Sequence, residues 1–321
     1  MRKNRRVERR WERAHEFLEL PAAAIEARVR AVYPAAGLKD AQPLNRGLRN
    51  TNYRLTVVGA PSPLALRLYV ADPAACAREA AILTHVAGRV PAPRVLGMDA
   101  AADPPYALLE WLEGEPLDEV LRDCDAGTAL ELGAACGTVL AAIHETRFPA
   151  PGFFGPDLSV ERPMPHWARA IEAALDGPAG GSLGPETAAR VRRAVQSSAG
   201  EIEPIWSEAA LAHADFKPWN LLARQEAGTW NVCGVLDWEF ACAASPLLDF
   251  AIFLRDERAR PAGFGDSFAA AYRSAGGRLP EGWRRLARLI DLLNLMQLLA
   301  SPGEQRDEDL RRLVDDTLHS L

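Results

Sequence analysis

The sequence predicts an α+β fold, with a small antiparallel β-sheet in an amino-terminal lobe and a mostly helical carboxy-terminal lobe. Three observations carry this expectation. Short apolar runs broken by Gly and Pro turns fill residues 43–70, the pattern of antiparallel strands with tight connections. From Pro116 onward apolar residues recur at three- and four-residue spacing, the period of amphipathic helices. Among those helices one region breaks the period: His213-Ala214-Asp215-Phe216-Lys217-Pro218-Trp219-Asn220, followed by the apolar run Val232 to Leu236 and then Asp237.

In chain order, a first helix starts near Pro21 on Ile25, Val29 and Val32 and stops before Pro34, since proline disfavours helix at the residue before it. Turn signals at Arg46-Gly47 and Gly59-Ala60-Pro61 bound strands at Pro43–Gly47, Asn52–Val58 and Pro63–Val70. A helix from about Ala74 to Ala87 ends at Gly88, where glycine is a favoured stop. Val90-Pro91-Ala92-Pro93 cannot be helical, and strands follow at about Arg94–Gly97 and Tyr106–Trp111. The spacing then predicts helices at Leu117–Cys124, Thr128–His144, Pro165–Leu175, Pro185–Ser197, Phe264–Ser274, Trp283–Leu299 and Asp307–Leu318, with a Gly/Pro/Ser-rich loop at Asp176–Gly184. The expected division is a basic extension over 1–20, an amino-terminal lobe over 21–112 and a helical lobe over 113–321, joined near Glu110 to Gly114.

Composition narrows the function classes. With 321 residues, 48% hydrophobic and 25% charged, the chain can bury a large core, which excludes disordered and fibrous classes. The five cysteines (Cys76, Cys124, Cys136, Cys233, Cys242) are scattered, without disulfide-framework or zinc spacing. Glu16 and Glu19 interrupt the apolar residues after the basic start, so no signal peptide is expected. Leu286 to Ala300 is broken by Asp291, Asn294 and Gln297 and is too short and polar to span a bilayer. The expectation is a cytoplasmic protein with no membrane partner. Residues 1–14 carry seven basic and two acidic side chains, against 30 basic and 41 acidic in the remainder. An acidic body repels nucleic acid and favours cationic partners. The basic extension through residue 18 is expected to be dispensable for chemistry.

Asp215, Asn220 five residues later and Asp237 at the end of an apolar strand are the groups that phosphoryl transfer from a nucleotide requires. One carboxylate orients an acceptor hydroxyl and takes its proton, while an amide oxygen and a second carboxylate hold Mg²⁺ against the phosphates. Each residue alone has a plainer reading. Asp215 and Asn220 could be turn formers, and Lys217, one of only three lysines, a solvated cation. Asp237 fits a metal partner better than packing, because an unpaired carboxylate is costly to bury. Walker-type Gly-x-x-x-x-Gly-Lys and His-Glu-x-x-His are absent, and Gly180-Gly181-Ser182-Leu183-Gly184 matches a hydrolase pattern by chance, with no strand before it.

Read together, His213 to Asn220 resembles the catalytic loop of the aminoglycoside phosphotransferase and choline kinase superfamily, which shares the protein-kinase-like two-lobe fold. Leu236-Asp237-Trp238-Glu239 resembles its metal-binding segment. Gly47 to Tyr53 resembles the phosphate-covering turn, Leu66-Arg67-Leu68 the strand that carries a phosphate-binding lysine, Arg78-Glu79-Ala80 the helix with its partner glutamate, Leu109 to Leu112 the adenine hinge, and Pro246 to Asp249 the structural aspartate segment. The resemblance implies ATP and Mg²⁺ as cofactors and an ATP-dependent small-molecule kinase. It implies Asp215 as base with Lys217 neutralising phosphate charge, Asn50, Thr51, Arg67, Glu79, Glu110 and Leu112 on the nucleotide, and Asn220 and Asp237 on the metal.

Several positions depart from the family pattern. Arg67 replaces lysine, which keeps the charge but substitutes a fork for a point charge. Lys217 is more typical of protein kinases, and Ala214 stands where glycine is common, harmless unless the backbone there needs a positive φ. Glu239 divides between a metal-shell role and a salt bridge, and His213 reads as structural. The implied acceptor is a small hydroxylated compound, aminoglycoside-like, choline-like or another amino alcohol or sugar, bound between the catalytic loop and Pro163–Trp206, with Trp167, Ile171 and Trp206 lining the cleft. A protein Ser/Thr kinase would need a Gly-x-Gly-x-x-Gly turn and Phe-Gly after Asp237, and the chain has neither. A non-catalytic nucleotide-binding relative would have lost a metal ligand or the catalytic aspartate, and both are present.

Overall fold

The computed structural model describes residues 16–44, 49–255, 257–300 and 304–321. The expected Arg46-Gly47 turn, the basic residues 1–14 and the first two residues of the Gly47–Tyr53 turn lie outside the described residues.

The amino-terminal region is one antiparallel five-stranded sheet in the order β1-β2-β3-β5-β4, comprising β1 (Gly37–Leu44), β2 (Thr51–Val58), β3 (Leu64–Leu68), β4 (Val95–Asp99) and β5 (Tyr106–Glu110). Strand alternation sorts its side chains onto two faces. Tyr53, Leu55, Val57, Leu64, Leu66, Leu68, Tyr106 and Leu108 pack on one face against Ile25 and Val29 of α1 (Ala22–Val32). On the other face Ala107, Leu109 and Tyr69 meet Cys76, Ile82, Leu83 and Val86 of α2 (Ala75–Val86). Arg67, between Leu66 and Leu68, is therefore directed to the α2 face.

The first strand is Gly37–Leu44 rather than Pro43–Gly47. Its pairing with β2 runs from Gly37↔Val58 to Leu44↔Asn52. It is an edge strand with exposed Lys39, Asp40, Gln42 and Pro43, so backbone pairing defines it and no apolar alternation marks it. The segment before α1 also docks on the sheet. Leu18 N donates to Thr51 Oγ1 at 3.0 Å, Tyr53 Oη donates to Leu18 O at 2.9 Å, and the Phe17 ring meets Tyr53 edge-on at 5.3 Å.

After β6 (Glu115–Pro116) and α3 (Leu117–Asp123) come α4 (Ala126–His144), β7 (Gly152–Phe154), β8 (Val160–Pro163), α5 (Trp167–Leu175), α6 (Pro178–Trp206), β9 (Ala210–Ala212), β10 (Leu221–Glu226), β11 (Thr229–Val235), β12 (Cys242–Ala244), α7 (Leu247–Phe253), α8 (Phe264–Ser274), α9 (Trp283–Leu299) and α10 (Glu304–His319). The expected Asp176–Gly184 loop is helical from Pro178, because Ala179 and Leu183 are drawn into the core and proline suits the first helical turn. Gly184, at φ 76°, kinks the helix and marks the start expected at Pro185. Ser182 lies in that helix with its hydroxyl on Asp307, so the hydrolase-like match has no strand-to-helix elbow. The sequence also missed α7, which is buried nearly all round and so shows no amphipathic period, and the short strands of the sheet β8-β7-β12-β9. Trp167, Ile171 and Trp206 are in the core at 1%, 0% and 7% exposure rather than lining a cleft.

Helix α4 is long and apolar enough to cross a bilayer by length and composition, yet it packs along α8 at very close range. A side chain at Gly137 would meet the Phe268 carbonyl oxygen at 2.1 Å, and one at Gly133 the Phe264 carbonyl at 2.9 Å. Gly137→Leu is expected to overpack this seam and cost about 2–3 kcal/mol, read as a lower denaturant midpoint with an unchanged slope. The docked Phe17 and Leu18 give this segment a part in stability, separate from the expectation that residues through 18 are dispensable for chemistry. A chain beginning at Glu19 is expected to lose about 1–3 kcal/mol of stability from the two uncovered side chains, and a thermal midpoint equal to that of the full chain would show the contact to be idle.

Candidate active site

The catalytic-loop candidate begins where β9 ends, and its backbone is held by one buried carboxylate. Asp249 Oδ2 accepts His213 N at 2.8 Å and Oδ1 accepts Ala214 N at 2.7 Å. Asp249 is itself fully buried on α7, and His144 Nε2 lies 3.0 Å from Oδ2, with the far ring nitrogen 3.0 Å from Tyr272 Oη. Burial pushes the Tyr272 hydroxyl up, so it remains a phenol. Satisfying both oxygens of a buried carboxylate is what makes such a group tolerable away from water.

Two consecutive amides can reach one carboxylate only because the chain turns sharply there, and Ala214 sits at φ 60°. That is left-handed backbone, in which a Cβ is strained. The alanine in place of glycine is therefore not neutral. His213 is structural, as expected: Nδ1 accepts Asp215 N at 3.2 Å, Nε2 donates to Leu236 O at 3.0 Å, and the ring stands 4.6 Å from that of Trp238. Leu236 N donates to Asn220 O at 2.8 Å, which closes the loop onto the Asp237 segment.

Within this frame Asp215, Lys217 and Asn220 form one cluster. Lys217 Nζ is 3.0 Å from Asp215 Oδ1, and Asn220 Nδ2 donates to Asp215 Oδ2 at 2.7 Å and to its carbonyl at 3.0 Å. The side chains of Asp215 and Lys217 keep 19% and 20% exposure, so a substrate can reach them. Asn220 commits its amide nitrogen to Asp215, leaving the carbonyl oxygen, a hard donor, for a cation.

Asp237, also left-handed at φ 66°, faces a second cluster. Arg67 Nη2 is 2.5 Å from Asp237 Oδ1, Arg67 Nε is 3.0 Å from Glu79 Oε2, and Glu239 Oε1 lies 3.8 Å from Arg67 Nη2. The Arg67–Glu79 contact is a charge contact without an aligned hydrogen bond. The other Glu79 oxygen accepts Trp238 N at 2.9 Å, so α2 grips both the arginine and the backbone beside Asp237. Burial lowers the Arg67 pKa, but Asp237 and Glu79 outweigh it and hold the guanidinium firmly charged. Burial pushes the Asp237 carboxyl up, and Arg67 more than offsets this, holding it below the usual range. Glu239 goes the other way: burial and the neighbouring Asp237 push it up to about 7.

Among the described residues, no three His, Cys, Asp or Glu side chains form a metal cage. Mg²⁺ in phosphoryl-transfer sites needs only one or two protein oxygens, with phosphate and water supplying the rest, and Asn220 with Asp237 fits that donor set. The other residues expected on the nucleotide make contacts of their own. Thr51 is fully buried with its hydroxyl on Leu18 N, and Asn50 is turned inward, its Nδ2 on Glu239 Oε2 and its Oδ1 accepting Val70 N. Glu110 pairs with Arg94 at 2.9 Å at the end of β5, and Leu112 lies over Gly234 of β11. Neither is among the residues that pair with Arg67. Sequence reasoning missed the His144–Tyr272 extension behind Asp249, because His144 reads simply as the end of a helix.

A search of curated proteins finds no match. Solved structures give extensive fold similarity at low identity. The aminoglycoside phosphotransferase APH(4)-Ia is 19% identical at a TM-score of 0.67, covering 94% of this chain and 99% of that one. A thermostable variant of it, in ternary complex with AMP-PNP and hygromycin B, is 19% identical at 0.67, covering 92% and 98%. The GDP complex of wild-type aminoglycoside 2′-phosphotransferase-IIIa is 16% identical at 0.68, covering 94% and 98%. These neighbours share the protein-kinase-like architecture predicted from the sequence. The model of the phosphotransferase enzyme family matches residues 40–289, well over half of the 321 residues, and the chain belongs to that family.

Proposed function

We propose that this phosphotransferase moves the γ-phosphoryl group of MgATP to a hydroxyl of a small molecule, with Asp215 as the base. The observation that carries the reading is the Asp215–Lys217–Asn220 cluster, held on a backbone whose first two amides are fixed by Asp249. In the proposed reaction the acceptor hydroxyl donates to Asp215. As the acceptor oxygen bonds to the γ-phosphorus, the bond from phosphorus to the β,γ-bridging oxygen breaks, ADP leaves, and the hydroxyl proton passes to Asp215. Lys217 neutralises charge spread over the transferring oxygens, which is where positioning and electrostatics act in this chemistry. Arg67, anchored by Glu79, faces the phosphates from the sheet side. Asn220 and Asp237 would hold Mg²⁺, which when bound neutralises phosphate charge.

The acceptor class rests on two supports. Hygromycin B and kanamycin occupy neighbours of the same fold, and the chain is acidic overall, at a net charge of −6, which suits an acceptor carrying amines. With Trp167, Ile171 and Trp206 in the core, a deletion across α5 and α6 would remove core rather than a cleft, so the acceptor is better sought by turnover. The expected outcome is turnover of ATP dependent on one member of a panel of aminoglycosides, choline, amino alcohols and sugars. GTP serves as the competing donor.

Asp215→Asn and Asp237→Asn are each expected to lower turnover by about a hundredfold or more, roughly 3 kcal/mol of transition-state stabilisation. Asp237→Asn should also weaken MgATP binding, whereas Asp215→Asn should leave it intact, and Lys217→Ala should lie between these variants and wild type, mostly in turnover. Near-wild-type turnover in a folded Asp215→Asn protein would overturn the assignment of the base.

A further inference from the structure

The side chain of Glu239 joins two segments separated by 189 residues. Its Oε2 accepts Asn50 Nδ2 at 3.0 Å, and its Oε1 lies 3.5 Å from Arg49 Nε and 3.8 Å from Arg67 Nη2. Its backbone carbonyl accepts Arg78 Nη2 of α2 at 3.3 Å. The next residue, Phe240, is 41% exposed, and the Arg49 guanidinium carbon stands 5.1 Å from its ring centroid. Arg49 is thus held from two sides, by a carboxylate and by an aromatic face, at a site where cation–π contact adds to the charge pair. Its side chain nevertheless keeps 39% exposure, whereas that of Glu239 keeps 4%. A buried acid holding a half-exposed arginine is an arrangement for presenting the arginine, since a pair built only for stability would gain little from leaving one partner in solvent.

We propose that Glu239 is a positioning residue for the nucleotide: it holds Arg49 and Asn50 at the entry to β2 so that the Arg49 guanidinium meets the nucleotide phosphates. This deepens the nucleotide-binding reading above and rests on it. Arg49 supplies the planar fork that suits phosphate oxygens, and Glu239 acts through it without touching the nucleotide.

The sign of the effect separates this role from two others. If Glu239 were only a nearby negative charge, removing it would strengthen phosphate binding. If it were only a metal ligand, removing it would matter only with Mg²⁺ present. The positioning role requires weaker binding of ADP in EDTA. Titrations of metal-free ADP on the full chain are therefore compared for wild type, Glu239→Ala, Arg49→Ala and the double variant, with Glu239→Gln, a neutral group of similar shape, as the variant that preserves folding. Glu239→Ala, Glu239→Gln and Arg49→Ala are each expected to weaken metal-free ADP by about tenfold, and the double variant to be no weaker than Arg49→Ala, the non-additivity of residues acting as a unit. In kinetics the KM for the nucleotide should rise while the KM for the acceptor stays put. Unchanged or tighter metal-free binding in the two Glu239 variants, or losses that add in the double variant, would overturn the positioning role while leaving the phosphotransferase reading in place. A wild-type chain that binds neither ADP nor MgADP would overturn both.

Discussion

The buried guanidinium of Arg67 is the constraint on which the rest of the site depends. At 8% exposure it is held by Glu79 from α2 and by Asp237 and Glu239 from the segment after β11. A charge so far from water is tolerable only with opposite charges around it. Here those charges come from both regions of the molecule, so the sheet, α2 and the helical lobe must meet for any of them to be satisfied. The arginine that replaces the family's usual lysine suits this position because one fork can face several carboxylates at once. Its Nη2 rests on Asp237, so cation and carboxylate compensate each other within the buried site.

A second buried carboxylate does for the loop what Arg67 does for the lobes. Asp249 takes two consecutive backbone amides, and the turn that makes this possible places Ala214 in left-handed backbone. Asp237 shares that conformation across the site. Of the four non-glycine residues at positive φ among the described residues, Leu158 and Ala227 sit in turns elsewhere, while Ala214 and Asp237 sit at the site, where the surrounding hydrogen bonds and ion pairs over-determine the backbone. The strain at Ala214 is offset by the Asp249 hydrogen bonds, and these are steadied by His144 and Tyr272 from two further helices.

Much of this was legible in the chain. The α+β division, the helices on Ile25-Val29 and from Trp283 to Leu299, and the set Asp215, Asn220, Asp237 were readable because each has a local signature: a period, a proline or glycine stop, or a fixed spacing. Arg67 and Glu79 have none and were picked out by the family resemblance alone. Strand β1 was misplaced, α7 was passed over and Asp176–Gly184 was read as a loop for the same physical reason in three forms. An edge strand defined by its partner, a helix buried on all sides and a glycine-rich turn drawn into a core carry no amphipathic signal of their own. Trp167, Ile171 and Trp206 show the converse, since an aromatic at helical spacing looks the same whether it lines a cleft or fills a core.

What the sequence determined by itself was the chemistry available: a carboxylate, a lysine and an amide within six residues, a second aspartate at a strand end, and a family match that spans most of the chain. What only the tertiary structure decided was which partner each group takes. The side chain of Thr51 anchors Leu18, and that of Asn50 reaches Glu239 across 189 residues. Glu239 itself was open between metal and salt bridge. Spacing along a chain fixes contacts only within a helix turn, a strand pair or a tight loop, whereas the side chains that share a buried site are selected by how the sheet, α2 and the loop close over a common, nearly dry volume in which every charge must find its opposite.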